Sequence, residues 1–324
     1  MNLVEQLRQQ AKEKPKRLVL PEGTDHRILQ AATRLAEEKI AQPVVLGRLG
    51  EIEAAARSIG ISLKKIEVID PAAAPDLGEL VAAYRQKRQN VKDSVAERLV
   101  KKEMIYGGMM VATGKAAAMV AGAASTTASV IQAASLTIGY QEGLSTPSSY
   151  FIMVLPDSRI LFYADCAVNI DPDSRALAEI GLATARSYQK LMGKKPLTAF
   201  LSFSTRGSAS HPLVDKVVQA VSLAKEMAPE LAFDGEFQAD TALSAKVAAK
   251  KLKEPSLVAG QANVLIFPDL NAGNIAYKLT QYLAKAEALG PILQGFARPV
   301  SDLSRGASVD DIITVAAVTC LQTD

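Results

Sequence analysis

The chain has 324 residues, 48% of them hydrophobic and 22% charged, with a formal net charge of +3. The length suits two cores better than one, the composition excludes disorder, and so small a charge without an interleaved Lys/Arg run excludes nucleic acid while leaving room for a local basic pocket. Only two cysteines occur, Cys166 and Cys320, far apart in sequence, so no disulfide framework is expected and a reducing cytoplasm is the predicted compartment; no secretory signal and no membrane span are expected either.

Short apolar runs then alternate with helical patterns along the chain. Arg17–Leu20 reads as a strand and Thr24–Ile40 as a helix capped by Thr24. Pro43–Leu46 is a strand, Ile52–Ile59 a helix and Ile66–Ile69 a strand. Leu77–Lys87 and Ser94–Lys101 read as helices. Ala118–Ala121 is a small-residue strand leading to a helix that starts in the hydroxyl-rich Ser125-Thr126-Thr127. Gly139–Pro147 clusters glycine, proline and polar residues between patterned segments and reads as a domain boundary, with a second break near Gly290-Pro291. Ser148–Leu155 and Ile160–Tyr163 follow as strands, Ser174–Met192 as a helix, Leu197–Phe203 as a strand and Pro212–Met227 as a helix. Leu231–Phe233, Val264–Phe267 and Ile292–Leu293 are further strands, and Asp311–Leu321 is a C-terminal helix. The alternation, with strands unbroken by polar residues, predicts an α/β protein with buried parallel strands.

Several loops after these strands carry chemistry. Asp302-Leu303-Ser304-Arg305-Gly306 joins a hydroxyl, a planar guanidinium fork suited to anions and a glycine that permits close approach, ahead of Asp310-Asp311. The ordinary reading of Ser308-Val309-Asp310-Asp311 is a capping box. Ser202, Ser204, Thr205, Arg206 and Gly207 after Leu197–Leu201 form an anion cradle or an ordinary strand-to-helix loop. Asn271, Gly273 and Asn274 follow Val264–Phe267, where Asn271 or Asp269 also fits a helix N-cap. Cys166 beside apolar neighbours reads as a small buried hydrophobe before it reads as a nucleophile. His26 and His211 are too isolated for a zinc site or for serine–histidine chemistry. Gly114-Lys115 ends like a P-loop, but Met109 stands at the first glycine position and Ala116 at the hydroxyl position. No G-x-G-x-x-G follows a strand, so ATP and NAD lack their usual fingerprints.

Taken in order, SFSTRGSA (202–209), FPDLNAGNI (267–275), GPILQG (290–295) and PVSDLSRGASVDDI (299–312), with YADCAVN (163–169) and LPEGTDHRIL (20–29), resemble the phosphate acetyltransferase (phosphotransacetylase) family. The resemblance covers nearly the whole chain and is densest over residues 160–315. It implies transfer of an acetyl group between coenzyme A and inorganic phosphate, with acetyl phosphate as the other product and no tightly bound cofactor. It implies two α/β/α domains with a cleft between them, of a fold similar to isocitrate and isopropylmalate dehydrogenases. Residues 1–147 with 294–324 would form one domain and 148–293 the other. It also implies a homodimer in the cytoplasm or in a bacterial microcompartment, without membrane or nucleic-acid partners.

Carried over residue by residue, the resemblance makes Asp311 the base that deprotonates the coenzyme A thiol. Ser304 becomes the hydroxyl that stabilises the tetrahedral oxyanion, and Arg305 the arginine at the phosphate. Attack would be direct, in a ternary complex. Arg85 would bind coenzyme A or phosphate, and Ser125, Thr126, Thr127, Ser202, Ser204, Thr205, Arg206, Asn271, Gly273 and Asn274 would line the substrates. The family commonly has a histidine where this chain has Ser125 and an arginine where it has Gln132. A missing charge-assisted hydrogen bond costs roughly 1.5–3 kcal/mol, for which Lys115 or Arg206 are the candidate replacements. Gln132 therefore motivates a second reading, a catalytically weak paralogue that binds coenzyme A or acyl phosphate for regulation or assembly.

Overall fold

Leu18–Leu20, Val44–Leu46 and Ala118–Ala121 are buried along their whole length. Runs of this kind need helices above and below them, and that requirement organises the molecule. The computed structural model describes residues 2–323 and resolves the chain into two units. The first takes the chain up to Glu142 and again from Phe296; the second is Gly143–Gly295.

In the first unit α1 (Leu3–Glu13) precedes β1 (Lys16–Leu20), α2 (His26–Glu37), β2 (Ala41–Leu46), α3 (Leu49–Ser58) and β3 (Glu67–Ile69). Three helices follow, α4 (Leu77–Lys87), α5 (Asp93–Val100) and α6 (Glu103–Ala112), then β4 (Ala118–Ala121) and α7 (Thr127–Thr137). The second unit holds β5 (Ser148–Val154), β6 (Ile160–Ala164), α8 (Ser174–Met192), β7 (Leu197–Leu201), α9 (Pro212–Met227) and β8 (Ala232–Phe237). It continues with α10 (Ala239–Leu243), α11 (Ala245–Lys251), β9 (Val264–Ile266), α12 (Leu270–Leu283) and β10 (Glu287–Gln294). The chain then returns to the first unit for β11 (Val300–Asp302) and α13 (Val309–Leu321).

The first sheet runs β11-β4-β1-β2-β3 and is parallel throughout. Because β11, β4 and β1 are parallel neighbours, the loops that leave their C-terminal ends emerge side by side at one sheet edge. The second sheet runs β10-β5-β6-β9-β7-β8. There the expectation of parallel strands is corrected: β10–β5 and β5–β6 pair antiparallel, while β6–β9, β9–β7 and β7–β8 are parallel. The β5–β6 turn, Leu155–Arg159, is too short for a crossover helix, so these strands must form a hairpin.

Boundaries moved where caps decide them. The helix expected from Thr24 starts at His26, because the carboxylate of Asp25 accepts from the N–H groups of Arg27 and Ile28 and takes the cap. The strand from Leu197 ends at Leu201, whereas Leu231–Phe233 lengthens to Ala232–Phe237 and Ile292–Leu293 to Glu287–Gln294. The elements α1, α6 and β11 lacked a clear pattern. In α6 the reason is packing: a Cβ on Gly107 would stand 2.9 Å from Val19 Cγ1, and one on Gly108 2.2 Å from Thr137 Oγ1. Two glycines let this helix lie close to its neighbours while weakening its helical signal. Among the described residues no helix is long and apolar enough to cross a membrane.

Candidate active site

On the first unit, Asp302 ends β11 opposite Ala121, the last residue of β4. After Leu20 the chain reads Pro21-Glu22-Gly23. The Glu22 carboxylate accepts from three successive N–H groups, Gly122 at 2.9 Å, Ala123 at 2.8 Å and Ala124 at 3.0 Å. The turn between β4 and α7 is thus a backbone nest already occupied by the protein's own anion. Arg27, from the first turn of α2, ties the neighbouring loops together. Its guanidinium donates to the carbonyls of Arg305 (2.7 Å), Ala307 (3.1 Å) and Ala123 (2.8 Å) and pairs with Asp25 at 2.8 Å.

Within the loop that follows Asp302, Ser304 Oγ accepts from the Gly306 N–H at 3.2 Å, and Ala307 N–H donates to the Ser304 carbonyl at 2.9 Å. The Ser304 hydroxyl proton remains available. Ser304 and Arg305 are exposed, and the Arg305 guanidinium has no ion pair or hydrogen bond among the described residues. Ser308 caps α13, and Asp311 completes the capping box. Asp311 accepts the Ser308 N–H at 2.9 Å and the Ser308 hydroxyl at 2.7 Å, both on Oδ2, which leaves Oδ1 uncommitted. Asp310 differs. Arg34 at 3.0 Å and Arg8 at 3.5 Å grip it and hold its carboxyl below the usual range, the Arg34 hydrogen bond being the main cause.

Asp302 itself is 1% exposed. Its Oδ2 accepts the Thr127 hydroxyl at 2.5 Å, and its Oδ1 is buried without a partner. Burial pushes this carboxyl up to about 6; the Thr127 hydrogen bond and the Leu303 backbone pull the other way, and the Glu22 charge adds to the rise. Thr126 caps α7 through Ser129 N–H at 3.2 Å. Ser125 is half-buried and Gln132 is exposed on α7. Arg85 on α4 is exposed and pairs with Asp93 at the start of α5.

The second unit gathers its motifs differently. Ser204 is buried and donates to Glu236 Oε1 at 2.7 Å, the same oxygen that accepts Gly207 N–H at 2.8 Å. Thr205 Oγ1 accepts Gln238 N–H at 2.9 Å, and Ser202 Oγ accepts Ser204 N–H at 3.2 Å. Arg206 pairs with Asp234 at 2.6 Å and lies over the Phe237 ring. Asp269, not Asn271, caps α12, accepting Ala272 N–H at 2.9 Å. Asn271 is exposed in the first turn. Gly273 lets that helix approach the Asp165 carbonyl, 2.2 Å from where a Cβ would stand, and Asn274 donates to the Cys166 carbonyl at 3.0 Å. Cys166 is buried, and burial, with the nearby Asp165 charge, pushes its thiol well up, away from nucleophilic use.

The description "Phosphate acetyl/butaryl transferase" matches residues 2–320. The chain belongs to this family. A phosphate acetyltransferase of Acetivibrio thermocellus is 44% identical over 328 residues, covering 99% of this chain and 98% of the relative. A phosphotransacetylase structure from Streptococcus pyogenes superposes with a TM-score of 0.93 at 38% identity, covering 99% and 97% of the two chains. A 4-hydroxythreonine-4-phosphate dehydrogenase from Klebsiella pneumoniae, at 12% identity with a TM-score of 0.56 over 95% of this chain and 98% of that one, shares the fold alone.

Neither Lys115 nor Arg206, the candidate replacements for the arginine that the resemblance implies at position 132, is free. Lys115 is held by Glu79 at 2.8 Å and Asp76 at 3.2 Å, and Arg206 by Asp234. Glu22, Arg27, Asp302 and Glu236 also shape these loops, and no local sequence pattern assigns them a role. Glu22 follows β1 in LPEG and Asp302 ends β11 in VSD, whereas Arg27 sits in the first turn of α2 and Glu236 within β8; their partners lie 100, 175, 278 and 32 residues away.

Proposed function

We propose that the chain moves an acetyl or short acyl group between coenzyme A and inorganic phosphate, so that acetyl-CoA and phosphate give acetyl phosphate and coenzyme A. The observation that carries the reading is the loop from Ser304 to Asp311, which places an unpaired guanidinium, a hydroxyl with an available proton and a carboxylate with one uncommitted oxygen within eight residues.

Taken in the direction of acetyl-CoA formation, Asp311 Oδ1 accepts the thiol proton of coenzyme A. A thiol with a pKa of about 8.5 is mostly protonated at neutral pH and needs such a base. The thiolate sulfur bonds to the carbonyl carbon of acetyl phosphate, and the Ser304 hydroxyl donates to the oxyanion that forms. The C–O bond to phosphate then breaks, and Arg305 receives the leaving dianion through its fork. Capping assists here: the Ser308 bonds fix Asp311 while leaving Oδ1 outward. No acyl-enzyme is involved, in keeping with the buried Cys166.

Arg85, Ser125, Thr126, Thr127 and Gln132 remain the first-unit substrate contacts in this reading. Ser202 and Asn271 remain those of the second, beside a turn that Ser204, Thr205 and Arg206 fix through Glu236, Gln238 and Asp234. Gly273 and Asn274 support the Asp165-Cys166 loop from behind. The family resemblance brings with it a homodimer in the cytoplasm or a microcompartment. The binding-only alternative rests on Gln132 alone and is not favoured beside full-length relatives named for the transfer. The test is release of free thiol from acetyl-CoA on addition of phosphate. The expected result is phosphate-dependent release; no release across acetyl-, propionyl- and butyryl-CoA would refute the reading.

A further inference from the structure

Among the described residues, Asp302 is the buried acid of the first unit. Its surroundings offer it no cation. The nearby Glu22 is an anion, with its charge on the Gly122, Ala123 and Ala124 N–H groups. Arg27 of α2 is committed to Asp25 and to three backbone carbonyls. Arg305 lies beyond Leu303 and Ser304, facing solvent. Asp302 Oδ1 packs against Gly122, 2.2 Å from where a Cβ would stand there. Among the described residues its one side-chain hydrogen bond is with Thr127, the first residue of α7.

We propose that Asp302 is a positioning residue that controls, through its own proton, which way the Thr127 hydroxyl faces, and so couples phosphate binding at the start of α7 to proton uptake. The inference rests on the substrate-contact role proposed above for Ser125–Thr127, with phosphate as the substrate that Thr127 meets. An ionised carboxylate only accepts, so the Thr127 hydroxyl must donate inward and shows lone pairs to an incoming phosphate oxygen. A protonated Asp302 donates to Thr127 Oγ1 instead. The Thr127 hydrogen then turns outward and donates to the phosphate. No bond between heavy atoms changes, and the proton comes from solvent.

Thr127 is the hydroxyl of this turn whose donor direction a neighbouring carboxyl sets. The nest N–H groups are filled by Glu22, and Thr126 Oγ1 accepts the Ser129 N–H as the helix cap. The carboxyl, pushed up to about 6 by burial, keeps both forms close in free energy near neutrality. A ligand that prefers the protonated form must raise its occupancy, and by the same linkage its affinity must fall as pH rises past that value.

The experiment is titration calorimetry of the full chain with inorganic phosphate, in two buffers of different ionisation enthalpy, comparing the wild type with Asp302→Asn. Phosphate's own ionisation is common to both proteins. At about pH 7 the wild type takes up more protons per phosphate bound than Asp302→Asn, and near pH 5 the excess disappears because Asp302 already holds its proton. The side-chain amide introduced by Asp302→Asn donates to Thr127 as the protonated acid does, so that variant binds phosphate at about pH 8 at least as tightly as the wild type. Thr127→Val binds roughly tenfold to hundredfold more weakly and shows no excess uptake, whereas Thr127→Ser restores both. Equal uptake by wild type and Asp302→Asn would overturn the proposal. Should Asp302→Asn fail to fold, equal uptake by wild type and Thr127→Val decides against it in the same way. No phosphate binding by the folded wild type would instead refute the phosphate site on which it rests.

Discussion

Asp310 and Asp311 are adjacent, identical in chemistry and opposite in surroundings. Asp310 is gripped by Arg8 and Arg34, whereas Asp311 touches only Ser308 and keeps an oxygen open. The sequence alone shows two acids at a helix start, both favoured by the helix dipole, and favours the capping box for Asp311. The arginines that separate them come from α1 and α2, some 300 residues earlier, and no local pattern announces that pairing. Asp302 is the converse case, a residue of the SDLSRG motif without a role in the sequence pattern, whose burial becomes visible only when β11 pairs with β4. Its raised carboxyl has a defined effect on stability. The folded state holds the proton more tightly than the unfolded chain, so the group's contribution is complete below about pH 3.8 and is lost as pH rises through about 6. Between about pH 4 and pH 7 the wild type therefore loses up to about 3 kcal/mol of unfolding free energy relative to Asp302→Asn, measured by urea denaturation at each pH. Parallel pH profiles of the two proteins would contradict the assignment.

The turns between elements hold the site. β4 ends at Ala121, and the next residue, Gly122, has a φ of +107°. A Cβ there would stand 2.2 Å from Asp302 Oδ1 and 2.7 Å from Leu303 N, and backbone cannot yield as a flexible side chain would. Gly122→Ala combines this clash with a left-handed conformation, and we expect a loss of more than about 2 kcal/mol with a sharp fall in turnover, read by thermal denaturation and thiol release. Stability within about 0.5 kcal/mol of the wild type would show that the turn relaxes freely. Strands and long helices were legible: α4, α8, α9 and β4 carry apolar periodicity and clear stop residues, and their bounds coincide with those read from sequence. The hairpin β5–β6 and the antiparallel β10 were not, because an unbroken apolar run reads the same in either direction. The SFSTRGSA turn was recognised as a loop that could hold an anion. Its fixation by Glu236 was hidden, since that carboxylate belongs to the next strand, β8.

The whole chain shows why fold and function are read from different signals. A dehydrogenase at 12% identity shares the architecture, so two α/β units say little about the reaction. Motif order along nearly the whole chain identified the family, and the match over residues 2–320 agrees with it. The residues that carry the proposed chemistry cluster in one loop of the first unit, held by Arg27 and by the α13 cap. This assigns the two neighbouring acids different tasks, and one comparison tests that claim: the rate of acetyl-CoA formation from acetyl phosphate and coenzyme A by Asp311→Asn and Asp310→Asn. The account predicts a fall in kcat of about 10²–10⁴-fold for Asp311→Asn with the fold retained, since Ser308 still caps the helix and the Asn oxygen can still accept the Ser308 N–H. It predicts near-normal turnover for Asp310→Asn, with a stability loss of no more than about 1 kcal/mol from its exposed ion pairs. Near-normal turnover by Asp311→Asn would leave that residue as a cap only and contradict the account.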